Sequence, residues 1–416
     1  MKIAIIGSGI SGLTAAYLLS RRHDITVFEA GAEIGGHTAT VDIDIAGKTY
    51  AVDTGFIVYN DWTYPNFIRL MQQLGVQQQD TEMSFSVKCT RTGFEYSGSS
   101  LNTLFAQRKN LFNPKFWGML RDILRFNREA QIDLDSGRID AALTLGEYLK
   151  KNRYGDYFIN RFLVPMGAAI WSASTQAMLE FPLLFFVKFF KNHGLLSVNN
   201  HPQWRVLRGG SRSYLKPLTK NFREHIRTST PVAKIARTDA GVLISSTRCG
   251  DELFDQVVIA THSDQALALL ADASGDEAQI LGAIPYKNND VILHTDASVL
   301  PRSKRAWASW NYHLTADSQP QAVLTYAMNI LQGLDAPTTF CVTLNNTDAI
   351  DPQKILRRFV YAHPVFTAQG VNAQQRWSEI NGVNRTWFCG AYWRNGFHED
   401  GVVSALRVCT ALGETW

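Results

Sequence analysis

The N-terminus constrains this chain most. Residues Ile3-Ala4-Ile5-Ile6 form an apolar run that ends in Gly7-Ser8-Gly9-Ile10-Ser11-Gly12. An alanine- and leucine-rich stretch, Leu13 to Leu19, follows, and a second apolar run, Ile25-Thr26-Val27-Phe28, ends at Glu29. Strand, glycine turn, helix, strand and acid stand in that order, with Glu29 twenty residues after Gly9. Each part has a physical task in holding a dinucleotide. Gly7 turns the chain off the strand, Gly9 lets the backbone approach a pyrophosphate, and Gly12 lets the helix pack on the strand. The helix N-terminus, which carries Ser11, faces the phosphates, and Glu29 accepts hydrogen bonds from a ribose diol. A lone Gly-x-Gly-x-x-Gly is a weak signal, because glycine turns are common. The surrounding order carries the assignment. A signal peptide does not fit, since Lys2 is the only n-region charge and three glycines interrupt the apolar run.

The segment after Glu29 reads Ala30-Gly31-Ala32-Glu33-Ile34-Gly35-Gly36-His37-Thr38. Here the chain resembles the flavoprotein amine oxidase and phytoene desaturase superfamily. In that family a Gly-Gly-Arg follows the ribose-binding glutamate and wraps the FAD phosphates. Gly35 and Gly36 match, and His37 stands in the arginine's place. His37 can donate to a phosphate but lacks the bidentate fork. Three further segments match in the family's order. Leu207-Arg208-Gly209-Gly210-Ser211 resembles the return from the substrate domain. Pro231-Val232-Ala233-Lys234-Ile235 resembles the strand whose Val232 backbone contacts adenine. The run Phe254 to Thr261 reads as a buried strand ending beside the cofactor. The last match is Phe388-Cys389-Gly390-Ala391 with Gly396-Phe397-His398-Glu399-Asp400-Gly401-Val402. It resembles the C-terminal FAD motif, in which Gly390 closes a turn and Gly401 and Val402 open a helix facing the pyrimidine end of the flavin. Many relatives carry an acid where Ala391 stands, and Glu399 or Asp400 is a substitute for it.

Ser309-Trp310-Asn311-Tyr312, Tyr326-Ala327-Met328-Asn329, Tyr361-Ala362-His363-Pro364 and the run from Gly396 to Gly401 resemble a bacterial branch of this superfamily. Its members are usually described as predicted NAD/FAD-binding proteins, and they often accompany cyclopropane-fatty-acid-synthase-like methyltransferases. Some are implicated in desaturating methyl-branched acyl chains. The resemblance therefore implies an α/β fold. It has a discontinuous Rossmann-like FAD domain of the glutathione-reductase and amine-oxidase type, interleaved with an α+β substrate domain. The FAD domain is expected at 1–70, 205–265 and 380–416. The substrate domain is expected at 71–204, mostly helical, and 266–379, where runs such as Asp290 to His294 and Gln321 to Tyr326 read as strands.

The 416 residues suffice for two such domains, and 45% hydrophobic with 19% charged residues fits an ordinary globular chain. No apolar run reaches the ~18 residues that cross a bilayer. Five scattered cysteines without a Cys-x-x-Cys pair argue for a reducing cytosol, and against a disulfide frame or a zinc site. No cysteine sits where relatives attach flavin, so non-covalent FAD is expected, and no histidine spacing suggests a metal. Residues 108–128 hold Arg108, Lys109, Lys115, Arg121, Arg125 and Arg128 against Asp122 alone, interleaved with Phe112, Phe116, Trp117 and Phe126. That pattern suits either a core-facing helix with a solvated basic face or peripheral contact with the inner face of a membrane. Nucleic-acid binding lacks any accompanying motif.

FAD chemistry leaves orientation and electrostatics to the protein. Trp310, Tyr312 and Phe397 are the candidate pocket aromatics, and Tyr312, His398 and Glu399 the candidate proton acceptors. An amine oxidase of this family carries a lysine near the strand after Ile284-Pro285, where this chain has Asn289 and Asp290. Three readings follow. The first is an FAD-dependent oxidoreductase, desaturase-like, acting on an unsaturated or methyl-branched acyl chain. The second is an amine or amino-acid oxidase. The third is a flavin-holding partner of a lipid-modifying complex or a redox-neutral isomerase. Oxygen, a quinone and a carrier protein stay open as electron acceptors.

Overall fold

In the computed structural model, which describes residues 1–315 and 320–416, the N-terminal pattern folds as its residues dictate. Strand β1 (Lys2–Ile6) is buried after its first residue, α1 (Ile10–Leu19) follows the glycine turn, and β2 (Asp24–Phe28) pairs parallel to β1. Helix α1 is buried nearly all round, which its Ala15, Ala16, Leu18 and Leu19 permit and a charged helix would not. Three later strands complete a five-stranded parallel sheet: Ile226–Arg227, Gln256–Ile259 and Thr386–Phe388. Numbered along the chain within this sheet, the spatial order is 3-2-1-4-5, the order of a dinucleotide-binding doubly wound sheet. A three-stranded antiparallel sheet, Val232–Thr238, Gly241–Ser246 and Gly250–Phe254, lies between the third and fourth strands in sequence.

A second unit is built around a seven-stranded mixed sheet. Its order is Ile355–Pro364, Tyr286–His294, Cys341–Leu344, Leu324–Ala327, Trp310–Leu314, Phe85–Cys89, Phe94–Ser97. Helices Pro114–Asp135, Leu145–Lys151, Val164–Trp171 and Leu183–Asn192 contribute the apolar cluster that packs beside it, rich in phenylalanine.

The structure adds three details to the expected organisation. The first insertion is not only helical. Phe85–Cys89 and Phe94–Ser97 join the sheet of the second insertion, and Trp310–Leu314 pairs parallel to Phe85–Cys89 across more than two hundred residues. The segment around the basic stretch 108–128 is not one helix. It breaks into Leu101–Leu104, the 3-10 turn Arg108–Phe112 and Pro114–Asp135. Pro114 has no N–H for an upstream partner, and Asn113 caps the new helix by accepting from the Lys115 N–H at 3.1 Å. The core of the first unit also takes Ile280, Leu281, Ala373 and Trp377, from beyond the boundaries expected at 265 and 380.

Candidate active site

The site is assembled at the carboxyl ends of the parallel strands. Gly7 leaves β1 with φ +101°, and its N–H donates to the Phe28 carbonyl at 2.8 Å. A Cβ on Gly12 would run into the Gly7 carbonyl oxygen, so Gly12 sets how closely α1 approaches the turn. Gly9 differs: a Cβ there would meet nothing within 4 Å. Helix α1 begins with no side-chain cap and no acid in its first turn, which leaves its first N–H groups for an external anion.

The helix His398–Ala411 starts against the same point. A Cβ on Gly401 would lie 2.7 Å from Ile10 Cγ2 and 2.9 Å from Ser11 Oγ. Two positive helix ends therefore converge, with Ser11 and Val402 buried between them and the core. Gly390 donates its N–H to Ser404 Oγ at 3.0 Å, tying the last parallel strand to that helix.

Glu29 stands at the end of β2. Its Oε2 accepts from the Ser8 N–H at 3.0 Å and the Ser8 hydroxyl at 2.5 Å, and its Oε1 from the Gly31 N–H at 2.7 Å. The carboxylate is thereby fixed beside the glycine turn. The Glu29 carbonyl accepts from the Thr230 N–H at 2.8 Å, which places the segment leading to Val232 alongside. Gly35 (φ +119°) donates to the Ser8 carbonyl at 3.0 Å, and a Cβ on Gly36 would lie 3.2 Å from Gly9 Cα. This second glycine pair folds over the first.

His37 follows. Its ring lies 5.9 Å from that of His262, 5.7 Å from that of His363 and 5.2 Å from that of Tyr361. Burial, then the neighbouring His363 and His262, lowers the His37 pKa to about 3, and burial lowers His363 to about 4. These imidazoles are neutral at pH 7. His363 Nδ1 is 3.0 Å from Ser172 Oγ, but the buried Nε2 of His37 has no partner among the described residues. An orphaned buried nitrogen costs stability unless a ligand atom meets it. The open side of Gly9, the uncapped α1 and the orphaned His37 nitrogen together fit a dinucleotide diphosphate.

The candidate proton acceptors have partners of their own. Glu399 Oε1 accepts from the N–H and Nδ2 of Asn66, at 3.2 and 2.7 Å, and Oε2 from the Phe67 N–H at 2.8 Å. Its carboxylate anchors the start of helix Pro65–Gln73. His398 stacks on Phe56 with centroids 3.6 Å apart, and its Nε2 is 3.1 Å from Thr38 Oγ1. Asp400 caps its own helix, accepting from the Phe397 N–H at 3.0 Å, and burial raises its pKa to about 6. It therefore supports the helix rather than replacing the acid at Ala391. Trp310 and Tyr312 share one face of their strand. Tyr312 lines a cavity of about 390 Å³ with Arg161, Val164 and Thr175. Phe397 stacks instead on Phe189 at 5.4 Å, and no ring contact joins it to Trp310 or Tyr312 among the described residues.

Sequence reasoning missed His262 and His363 as site residues. Both signals were present: His262 immediately follows the strand read as ending beside the cofactor, and His363 lies in the run Tyr361-Ala362-His363-Pro364.

Residues 10–318 match the profile of the flavin containing amine oxidoreductases. The chain belongs to this family. As a flavin containing amine oxidoreductase it is an FAD-dependent oxidoreductase. Solved structures with the same fold include cyclohexylamine oxidase from Brevibacterium oxydans, at 16% identity and TM-score 0.69, covering 99% of this chain and 98% of that one. A CLA-producing fatty acid isomerase from P. acnes aligns at 15% identity and TM-score 0.71, covering 98% of both chains. Putrescine oxidase aligns at 14% identity and TM-score 0.70, covering 99% of both. No curated protein matches the sequence. In this family member Gly7, Gly9, Ser11, Gly12, Gly35, Gly36 and His37 are the residues that could hold the FAD diphosphate, and Glu29 and Val232 those that could meet its adenosine side. FAD, when bound, supplies a hydride acceptor.

Proposed function

We propose that this flavoprotein removes hydride from an apolar substrate, a fatty acyl chain that is unsaturated or methyl-branched. The observation that carries this reading is the aromatic wall next to the C-terminal helix. Phe397 stacks on Phe189, Phe185 on Phe366 at 5.3 Å, and Trp171 lies 4.6 Å from Phe181. These rings belong to one buried cluster, and an alkyl chain that parts them would be held by burial, at roughly 0.8 kcal/mol per methylene. An ammonium substrate would gain from a spare carboxylate. The buried acids nearby are already engaged: Asp53 with Ser211, Thr40 and Gln332, Glu399 with Asn66 and Phe67, Asp400 with Asn395 and Phe397.

The chain's own residues then have defined work. The aromatic wall orients the alkyl chain and excludes water. The neutral imidazoles of His262 and His363, between β-units, offer proton acceptors that burial keeps uncharged. Non-covalent FAD agrees with the burial of Cys389, the cysteine of the C-terminal motif itself, in the core.

The test is anaerobic bleaching of the flavin absorption. Unsaturated and methyl-branched phospholipids form one series and simple amines another. Bleaching by lipids alone is the expected result. Bleaching by amines alone would sink the acyl reading and return the chain to amine oxidation. Double-bond migration in the lipid without net bleaching would make it a redox-neutral isomerase. Oxidised flavin and unchanged lipid throughout would make it a non-catalytic partner.

A further inference from the structure

We infer that helix Pro114–Asp135, with the turn before it, is a docking face for an anionic lipid bilayer. The helix buries one stripe, Phe116, Met119, Phe126 and Ala130, against the aromatic core. The opposite stripe reads Trp117, Arg121, Leu124, Arg128 and Ile132, each three or four residues from the last, so these side chains form one row. A helix face meant only for water would not carry Trp, Leu and Ile in that row.

Twelve large apolar side chains are exposed among the described residues, and five of them fall within this one region: Leu111, Phe112, Trp117, Leu124 and Ile132. Scattered exposed apolar residues need no explanation, but a cluster does. Phe112 is 88% exposed at the tip of the turn. The indole Nε1 of Trp117 donates to the Leu111 carbonyl at 2.9 Å, which holds that turn in place with Phe112 outward. Farther along, Leu124 and Ile132 border a groove of about 520 Å³ closed by Leu196 and Val198.

Charge selects the occupant. Residues 108–128, which carry Phe112, Trp117 and Leu124, hold six basic residues and one acid, a net of +5, and the last turns of the helix add Glu129, Asp133 and Asp135, so the bases concentrate at the Phe112 end. The acid, Asp122, is buried and accepts from the Gly155 N–H at 2.9 Å. Arg125 turns inward over the Tyr154 ring, whereas Arg121 is largely exposed. A second copy on this face would set base against base. An anionic bilayer complements it, with the apolar tip entering the interface and the bases meeting headgroups. No helix among the described residues is long and apolar enough to cross a membrane, so the contact is peripheral.

The face does not depend on what the flavin oxidises, so its test stands apart from the bleaching experiment. Flavin-loaded protein is floated with vesicles of phosphatidylglycerol and phosphatidylcholine, or of phosphatidylcholine alone. Binding to the anionic vesicles only, weakened by salt, is expected. Phe112→Asp with Leu124→Asp, and separately Arg121→Glu with Arg128→Glu, should each weaken it roughly tenfold or more. Both pairs are surface changes, and the flavin spectrum and melting temperature verify the fold. No flotation with anionic vesicles would overturn the inference, as would flotation that neither pair alters. A dimer in ultracentrifugation that Phe112→Asp with Leu124→Asp dissolves would instead assign the face to a second copy.

Discussion

At the scale of single residues, three glycines in one turn do three different jobs, and substitution separates them. Gly9 has open space where a Cβ would go and an ordinary extended backbone, φ −68° and ψ 179°. Gly9→Ala should cost the fold no more than about 1 kcal/mol, the difference between glycine and alanine at a helix cap. It should still weaken FAD binding, because the methyl group occupies the side left to the diphosphate. Gly12→Ala drives a methyl group into the Gly7 carbonyl, and backbone cannot swing aside. That change should destabilise by roughly 1–3 kcal/mol or more. Thermal unfolding and flavin titration check the pair, and equal loss of stability in both variants would refute the division of labour. The glycines and Glu29 were legible because dinucleotide binding demands fixed spacing within thirty residues. His262 and His363 were not, because their meeting with His37 depends on strands brought together from three distant parts of the chain.

At the scale of elements, the C-terminal helix is tied to its neighbour by Glu399, a candidate proton acceptor in the sequence. Glu399 lies in the first turn of its own helix and at the N-terminus of helix Pro65–Gln73, so one carboxylate meets two helix dipoles. Glu399→Gln keeps the shape but turns an acceptor into a donor facing either the Asn66 or the Phe67 N–H. A buried charge-assisted contact of this kind is worth about 1.5–3 kcal/mol. The variant should lose that much stability while its flavin is still reduced at the native rate. A stable variant with slowed reduction would make Glu399 a reacting group after all. Sequence distinguished helix from strand well where local pattern decided, as at Ile10–Leu19, whose alanines and leucines follow the glycine turn. It failed at Phe85–Cys89 and Phe94–Ser97. These short strands are stabilised by pairing with Trp310–Leu314 and with each other, and their local pattern names neither partner.

At the scale of the whole molecule, the fold depends on keeping histidines neutral. His193, His294, His313 and His398 are buried. Burial is the first cause in each: it brings His313 to about 3, His193 and His294 to about 4, and His398 well below 6.5. Two of them belong to a hydroxyl ladder inside the large sheet. His313 Nε2 is 3.0 Å from Thr325 Oγ1, Thr325 Oγ1 is 2.7 Å from Thr343 Oγ1, and His294 Nε2 is 2.7 Å from Thr343 Oγ1. An unfolded histidine takes its proton near pH 6.5, the native one only at lower pH. Between those values the unfolded state binds more protons, so stability falls as pH falls. At about pH 5 each buried histidine costs about 2 kcal/mol relative to pH 7. Asp53 and Asp400 act in the opposite sense, since burial raises both to about 6 and the native state gains their protons first. Each returns about 1.4 kcal/mol over the same interval. His193, His294 and His313 together outweigh the two carboxyls by roughly 3 kcal/mol, a large part of a domain's entire stability, and His398 acts in the same direction. Urea unfolding of the flavin-loaded protein should therefore shift to markedly lower denaturant at about pH 5 than at pH 7. Equal or greater stability at the lower pH would mean that these imidazoles already accept protons in the folded state, and that the hydroxyl ladder and the Phe56 stack do not hold them neutral.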